Sequence, residues 1–294
     1  MALSDAGSTV SNAFVTQFAD DVLHLSKQKM SKLAGSIRTV RNVTGSTYKF
    51  NTLGKGGYIK NKNRFEDITV MSDSSKSLGG SATYTGGTAA HAVATATLNN
   101  YVAGEYVDDF DMFKVNFDFR QAYAESIAAA LSRAYDTEIV DALDSSSPTT
   151  TVTASGGLTK AKFLEVAEGL NSQSADTAER YMVISPAALT DLLADSGVTT
   201  AADGPISNSA LATGFIPNFL GFNIIISNLL NEASTGVRKC YAFQKNAVGL
   251  AVGKDVTAMI NYVPQKVSHL VAGEFSAGST AIDVTAIARV NVTE

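Results

Sequence analysis

The sequence predicts an α+β protein, and three patterns carry that expectation. Residues 118–143 repeat apolar side chains at helical spacing with no Gly or Pro. Residues 90–101 and 279–292 alternate apolar and polar side chains at strand spacing. Residues 181–226 place short apolar strands on either side of a short helix and a long loop.

The longest regular stretch, residues 108–143, reads as one helix around which the rest is arranged. Phe119, Tyr123, Ile127, Leu131, Tyr135, Ile139 and Leu143 form a stripe at every fourth position. Arg120, Glu125, Arg133, Asp136 and Asp141 are expected on the polar face. At 1.5 Å per residue the uninterrupted part is about 39 Å long. The acidic run Glu105, Asp108, Asp109 and Asp111 precedes it, where carboxylates favour a helix N-terminus.

In chain order, residues 12–33 read as an amphipathic helix ended by Gly35, with Phe14, Phe18, Val22, Leu25 and Leu33 on one stripe. Residues 36–53 read as extended chain, with Tyr48 and Phe50 as apolar contacts. From 54 to 102 the chain is rich in Gly, Ser, Thr and Ala, with strand-like pieces at 65–71 and 90–101 and too little bulk for its own core. Long segments of that kind are generally functional, and this one reads as an arm that packs on another molecule. Leu158, Thr159 and Phe163 fit a hydrophobic staple around an N-cap Thr, and Ser185-Pro186 opens the short helix at 187–193. Strand-like pieces follow at 222–226, 241–243, 247–252 and 257–263. The C-terminal alternation of Ile282, Val284, Ala286, Ala288, Val290 and Val292 is expected to return to the long helix and cover it.

Composition narrows the function. The 294 residues are 45% hydrophobic, enough for a real core, and a net charge of −5 argues against a dedicated duplex-DNA binder. The single cysteine, Cys240, is expected to be buried and excludes a disulfide framework within the chain. The first residues show no basic leader followed by an apolar run, and no apolar run is long enough to span a bilayer, so a soluble protein is expected.

No catalytic constellation assembles. There is no G-x-S-x-G elbow, and Gly273, Ser276 and Gly278, the nearest approach, read as a turn. The glycines at 54, 56 and 57 lack the rest of a phosphate loop or dinucleotide fingerprint. His24, His91 and His269 lie in separate segments, so no cofactor or metal is expected. An α/β enzyme with its site in the 195–221 loop would have only Asp195 and Asp203 to work with.

Four blocks of sequence resemble a tailed-bacteriophage major capsid protein family. They are SKLAGSIRTVRNVTGSTYKFNTLGKG at 31–56, the segment 101–143 that carries the long helix, ERYMVISPAALTDLL at 179–193 and FIPNFLGFNIIISN at 215–228, in the family's order. The resemblance implies an N-terminal arm at 1–53 and an extended β-hairpin loop at 54–102 lying over a neighbouring subunit. It implies a peripheral domain from 103–180 and 266–294 with the long helix as spine, and an α/β axial domain at 181–265. It further implies a non-enzymatic subunit that self-assembles as hexamers and pentamers into an icosahedral shell around double-stranded DNA, without sequence-specific binding. The expected partners are a scaffolding protein, a portal and a decoration protein, with no membrane, and the expected location is a virion capsid assembled in the host cytoplasm. With the arm starting so near Met1, a separate rather than built-in scaffold is expected, and nothing singles out Lys55, Lys60 or Lys62 for crosslinking. Arg38, Arg41, Lys60, Lys62 and Arg64 are expected to pair across subunits with Asp108 and Asp109. An encapsulin-like cellular compartment shell is the alternative reading.

Overall fold

A computed structural model describes residues 28–54, 57–60, 64–65, 83–86, 91–112, 114, 119–195 and 216–294. Its centre is the helix α2, Phe119–Ser145. Ile127, Leu131, Tyr135, Ile139 and Leu143 of the expected stripe are buried, while Tyr123 is partly exposed. The rod begins later than expected. Residues up to Asp108 belong to a strand, β6 (Asn99–Asp108), and a single turn, α1 (Asp109–Met112), follows. The acidic run therefore sits on β6 and α1 rather than at the start of α2, and Asp108 Oδ1 accepts from the Phe110 amide at 2.8 Å.

The floor beneath α2 is a four-stranded sheet in the order β1-β13-β14-β6, with β1 at Arg38–Val40, β13 at Val248–Val263 and β14 at Ser268–Ala281. Two sequence expectations are corrected here. The pieces at 247–252 and 257–263 fuse into one 16-residue strand, with its register against β14 slipping between Val252 and Thr257. Gly273, Ser276 and Gly278 lie mid-strand in β14 rather than in a turn. Gly273 is small because α2 rests on it: a Cβ there would stand 2.7 Å from Leu131 Cδ1 and 2.8 Å from Ile127 Cγ2. Beside it, Phe275 stacks on Tyr101 at 4.6 Å and meets Tyr135 at 5.5 Å.

The second sheet has seven strands. Its path is β7 (Thr150–Ala154), β15 (Ile287–Thr293), β12 (Val237–Gln244), β8 (Arg180–Ile184), β10 (Phe222–Ile226) and β9 (Asn218–Phe219), with β11 (Glu232–Ser234) beside β12. α4 (Pro186–Ala194) begins the connection from β8 to its parallel neighbour β10, and the Ser185 hydroxyl caps its start by accepting from Ala188 N at 3.1 Å. α3 (Lys160–Ser172) begins after Thr159 as expected, but the Thr159 side chain makes no cap bond. Asp195 Oδ2 accepts from Lys160 N instead, at 2.8 Å. The C-terminal strand does not cover α2: β15 lies between β7 and β12, and β14 occupies the place expected for it. The seven-stranded sheet holds strands from both the expected peripheral part, β7 and β15, and the expected axial part, β12, β10 and β9, and one apolar core joins α2 to both sheets.

The two remaining ribbons are two-stranded. β2 (Thr47–Leu53) pairs with β5 (His91–Thr97), and Phe50 docks this ribbon on Gly249 and Ala251 of β13. Farther out, β3 (Gly57–Lys60) and β4 (Thr83–Gly86) pair with each other alone among the described residues. Of the helix expected at 12–33, residues 28–33 form bends and irregular chain, and the remainder lies outside the described residues. The strand expected at 65–71 likewise lies outside them except for Phe65, which is in a turn.

Candidate functional site

Three acidic side chains along α2 tie separate parts of the chain to the spine. Asp136, expected on the polar face, is fully buried and accepts from Gln28, Ser31, Lys32 and Leu33. The sequence signal that would have placed it inside is Val140, one turn further on, which is equally buried. Glu138 accepts from the Tyr101 hydroxyl and from Ser279 N at 3.2 Å, and its own carbonyl accepts from Ser279 Oγ at 2.6 Å, which clamps β6 and β14 to the helix. Burial, then the Glu138 carboxylate, pushes the Tyr101 phenol up to about 12. Near the C-terminal end, Asp144 receives Lys239 Nζ at 2.5 Å, the Tyr241 hydroxyl at 2.9 Å and Asn231 Nδ2 at 3.2 Å, linking α2 to the second sheet. Burial alone would raise the Asp144 carboxyl, and these hydrogen bonds reverse that and hold it below the usual carboxylate range.

Those of the expected subunit-contact residues that are described lie on or near the surface. Arg38 places its guanidinium 5.9 Å from the Phe50 ring centre, and Arg41 pairs with Asp255 at 2.9 Å in the open. Lys60 is exposed on β3, Arg64 is exposed in a turn beside the fully exposed Phe65, and Lys62 lies outside the described residues. Asp108 is exposed at the end of β6, and Asp109 Oδ1 lies 3.2 Å from His269 Nε2. Among the described residues, no ion pair within the chain joins the basic set to Asp108 or Asp109.

An apolar surface, unannounced by the sequence, lies on the face of the four-stranded sheet away from α2. Register puts Val102, Gly104 and Tyr106 of β6 on one face with Glu274, Ala272 and Leu270 of β14, and Met259 of β13 opposite Ala272. Val102, Tyr106 and Met259 are exposed there, and Lys266 Nζ stands 3.7 Å from the Tyr106 ring centre. The outlying β3–β4 ribbon exposes Tyr58 as well. A two-stranded ribbon is marginal on its own, so that ribbon and this face have complementary needs.

No three His, Cys, Asp or Glu side chains among the described residues gather to hold a metal ion, and no helix among them is long and apolar enough to cross a membrane. Cys240 is buried, and that burial pushes its thiol up to about 12, out of reach of thiolate chemistry at neutral pH.

The architecture is shared with known shells. The capsid of cyanophage P-SCSP1u superposes with a TM-score of 0.72 at 17% identity, covering 99% of this chain and 96% of that one. Mycobacterium phage Che8 gives 0.68 at 16% identity with 98% of each chain covered. The virus-like particle from Pyrococcus furiosus gives 0.56 at 14% identity, covering 89% of this chain and 92% of that one. A search of curated proteins finds no match. The sequence itself matches the phage capsid protein family over residues 10–294. With that match spanning nearly the whole chain and the α+β capsid fold beneath it, the chain belongs to the phage capsid protein family.

Proposed function

We propose that this capsid protein self-assembles as hexamers and pentamers into an icosahedral shell that encloses a double-stranded DNA genome, and that it has no catalytic activity. The observation that carries this reading is the unfinished surface: a ribbon without a core of its own beside a body that leaves Val102, Tyr106 and Met259 uncovered. Copies that bury one another's ribbons satisfy both, and make shell stability cooperative with assembly. In this reading residues 1–53 are the arm, 54–102 the loop over a neighbour, 103–180 and 266–294 the peripheral part, and 181–265 the axial part. Arg38, Arg41, Lys60, Lys62 and Arg64 then meet Asp108 and Asp109 of adjacent copies. A scaffolding protein, a portal, a decoration protein and DNA held without sequence preference complete the set of partners, and assembly takes place in the host cytoplasm. The net negative charge supports a wall that does not grip packed DNA.

Electron microscopy and sedimentation of the purified chain, alone and with its neighbouring genes, test this. Closed uniform shells, or ring-shaped capsomers that close with a scaffold, are expected; a compact monomer under every condition would overturn the reading. The compartment shell remains the alternative, because a virus-like particle shares the fold, while the family match supports the phage reading. Shells purified from an infection that contain protein cargo in place of DNA would favour that alternative.

A further inference from the structure

The carboxylate of Asp136 lies in the middle of the spine with no exposed surface, and among the described residues the donors that reach it come from one short segment about a hundred residues earlier. Oδ2 accepts from Gln28 Nε2 at 2.5 Å and from Lys32 N at 3.0 Å. Oδ1 accepts from Ser31 Oγ at 2.5 Å and from Leu33 N at 3.1 Å. The consecutive amides of Lys32 and Leu33 converge on the anion as a backbone nest, and Ser31 Oγ holds the turn closed by accepting from Ala34 N at 3.1 Å. One turn back, Arg133 Nη1 donates to the Gln28 carbonyl at 2.9 Å. Among the described residues no cation pairs with Asp136, and these oriented donors stabilise its charge.

We infer that Asp136 is a clamp that fixes the segment at residues 28–33 to its own subunit's spine, beside a second tie from Lys32 Nζ to the Ile226 carbonyl at 3.0 Å. The fastening is detachable. Two of its four donors are side chains, residues 28–37 form no helix or strand, and Lys29, Met30 and Lys32 are exposed around it. If the segment lifts away, Asp136 becomes a solvated carboxylate on a helix rather than a stranded buried charge, so release need not unfold α2. Leu33 and Ile37, both buried, set how far the release can travel. The clamp stands on this geometry alone; its consequence for shell building rests on the proposed function.

The test is limited trypsin digestion of the full chain, with the Lys32–Leu33 bond followed by mass spectrometry, because that bond lies inside the clamp. Asp136→Ala should speed this cleavage at least about tenfold while circular dichroism stays at the parent value, since each charge-assisted bond lost is worth about an order of magnitude or more. Asp141→Ala, on the exposed face of the same helix, should leave the rate unchanged. Should Asp136→Ala fail to fold, Ser31→Ala removes one donor without touching the helix and should give a smaller increase at the same bond. Unchanged cleavage in the folded Asp136 or Ser31 variant, or an equal rise in the Asp141 control, would overturn the clamp. Electron microscopy of the same samples separates the two ideas: faster cleavage with normal shells keeps the clamp and removes its role in assembly.

Discussion

At the scale of single residues, the polar groups that matter are on the helix and face inward. Asp144 is the clearest case. Its carboxyl titrates below the usual range because Lys239, Tyr241 and Asn231 stabilise the charged form against the penalty of burial. A folded-state value lower than the unfolded one near 4 means that its contribution is fully present above that pH and is lost as pH falls through the folded value. Thermal stability should therefore hold from neutral pH down to about 5 and fall below about 4. Asp144→Asn should cost about 1–3 kcal/mol at neutral pH and flatten that acid limb, as measured by urea unfolding across a pH series. Cys240 offers a second check. With its thiol buried and pushed up to about 12, maleimide should label it only as fast as the protein unfolds, so the native protein should stay unlabelled until denaturant is added.

At the scale of elements, close approach to β14 decides how the floor is built. A Cβ on Gly278 would stand 2.0 Å from the Thr97 carbonyl oxygen, where β5 hands over to β6 across the sheet. Backbone cannot give way as a side-chain tip does. Gly278→Ala should therefore destabilise by at least about 1–3 kcal/mol, and hydrogen exchange should show the loss first in β5 and the start of β6. If protection there is unchanged, the handover does not depend on that glycine. The same contact explains why the alternation at 90–101 divides into two strands: Leu98 sits between β5 and β6, and its amide bonds to the Ser46 carbonyl at 2.9 Å.

At the scale of the whole molecule, the β3–β4 ribbon pairs with nothing else among the described residues and one sheet face stays exposed, so the proposed assembly moves the decisive energies to contacts between copies. Arg64→Glu changes an exposed side chain, so the isolated chain should keep its circular dichroism and melting temperature. An exposed pair is worth under about 1 kcal/mol, but a shell repeats each contact in every copy, so shell yield in sedimentation should drop. Normal shells from this variant would remove Arg64 from the contact set. The sequence by itself determined the spine helix, the strand–helix–strand order of residues 180–226 and the core-poor hairpin, because periodicity and composition are local properties. The four recognisable blocks also carried the family. Only the tertiary structure decided that β14, not the C-terminal strand, lies under α2, that Asp136 is buried, and that β6 runs to Asp108 with an apolar face left open. Each of these depends on what packs opposite a residue: partners a hundred or more positions away supply the hydrogen bonds of Asp136 and the strand register of β6, and no local pattern encodes that distance.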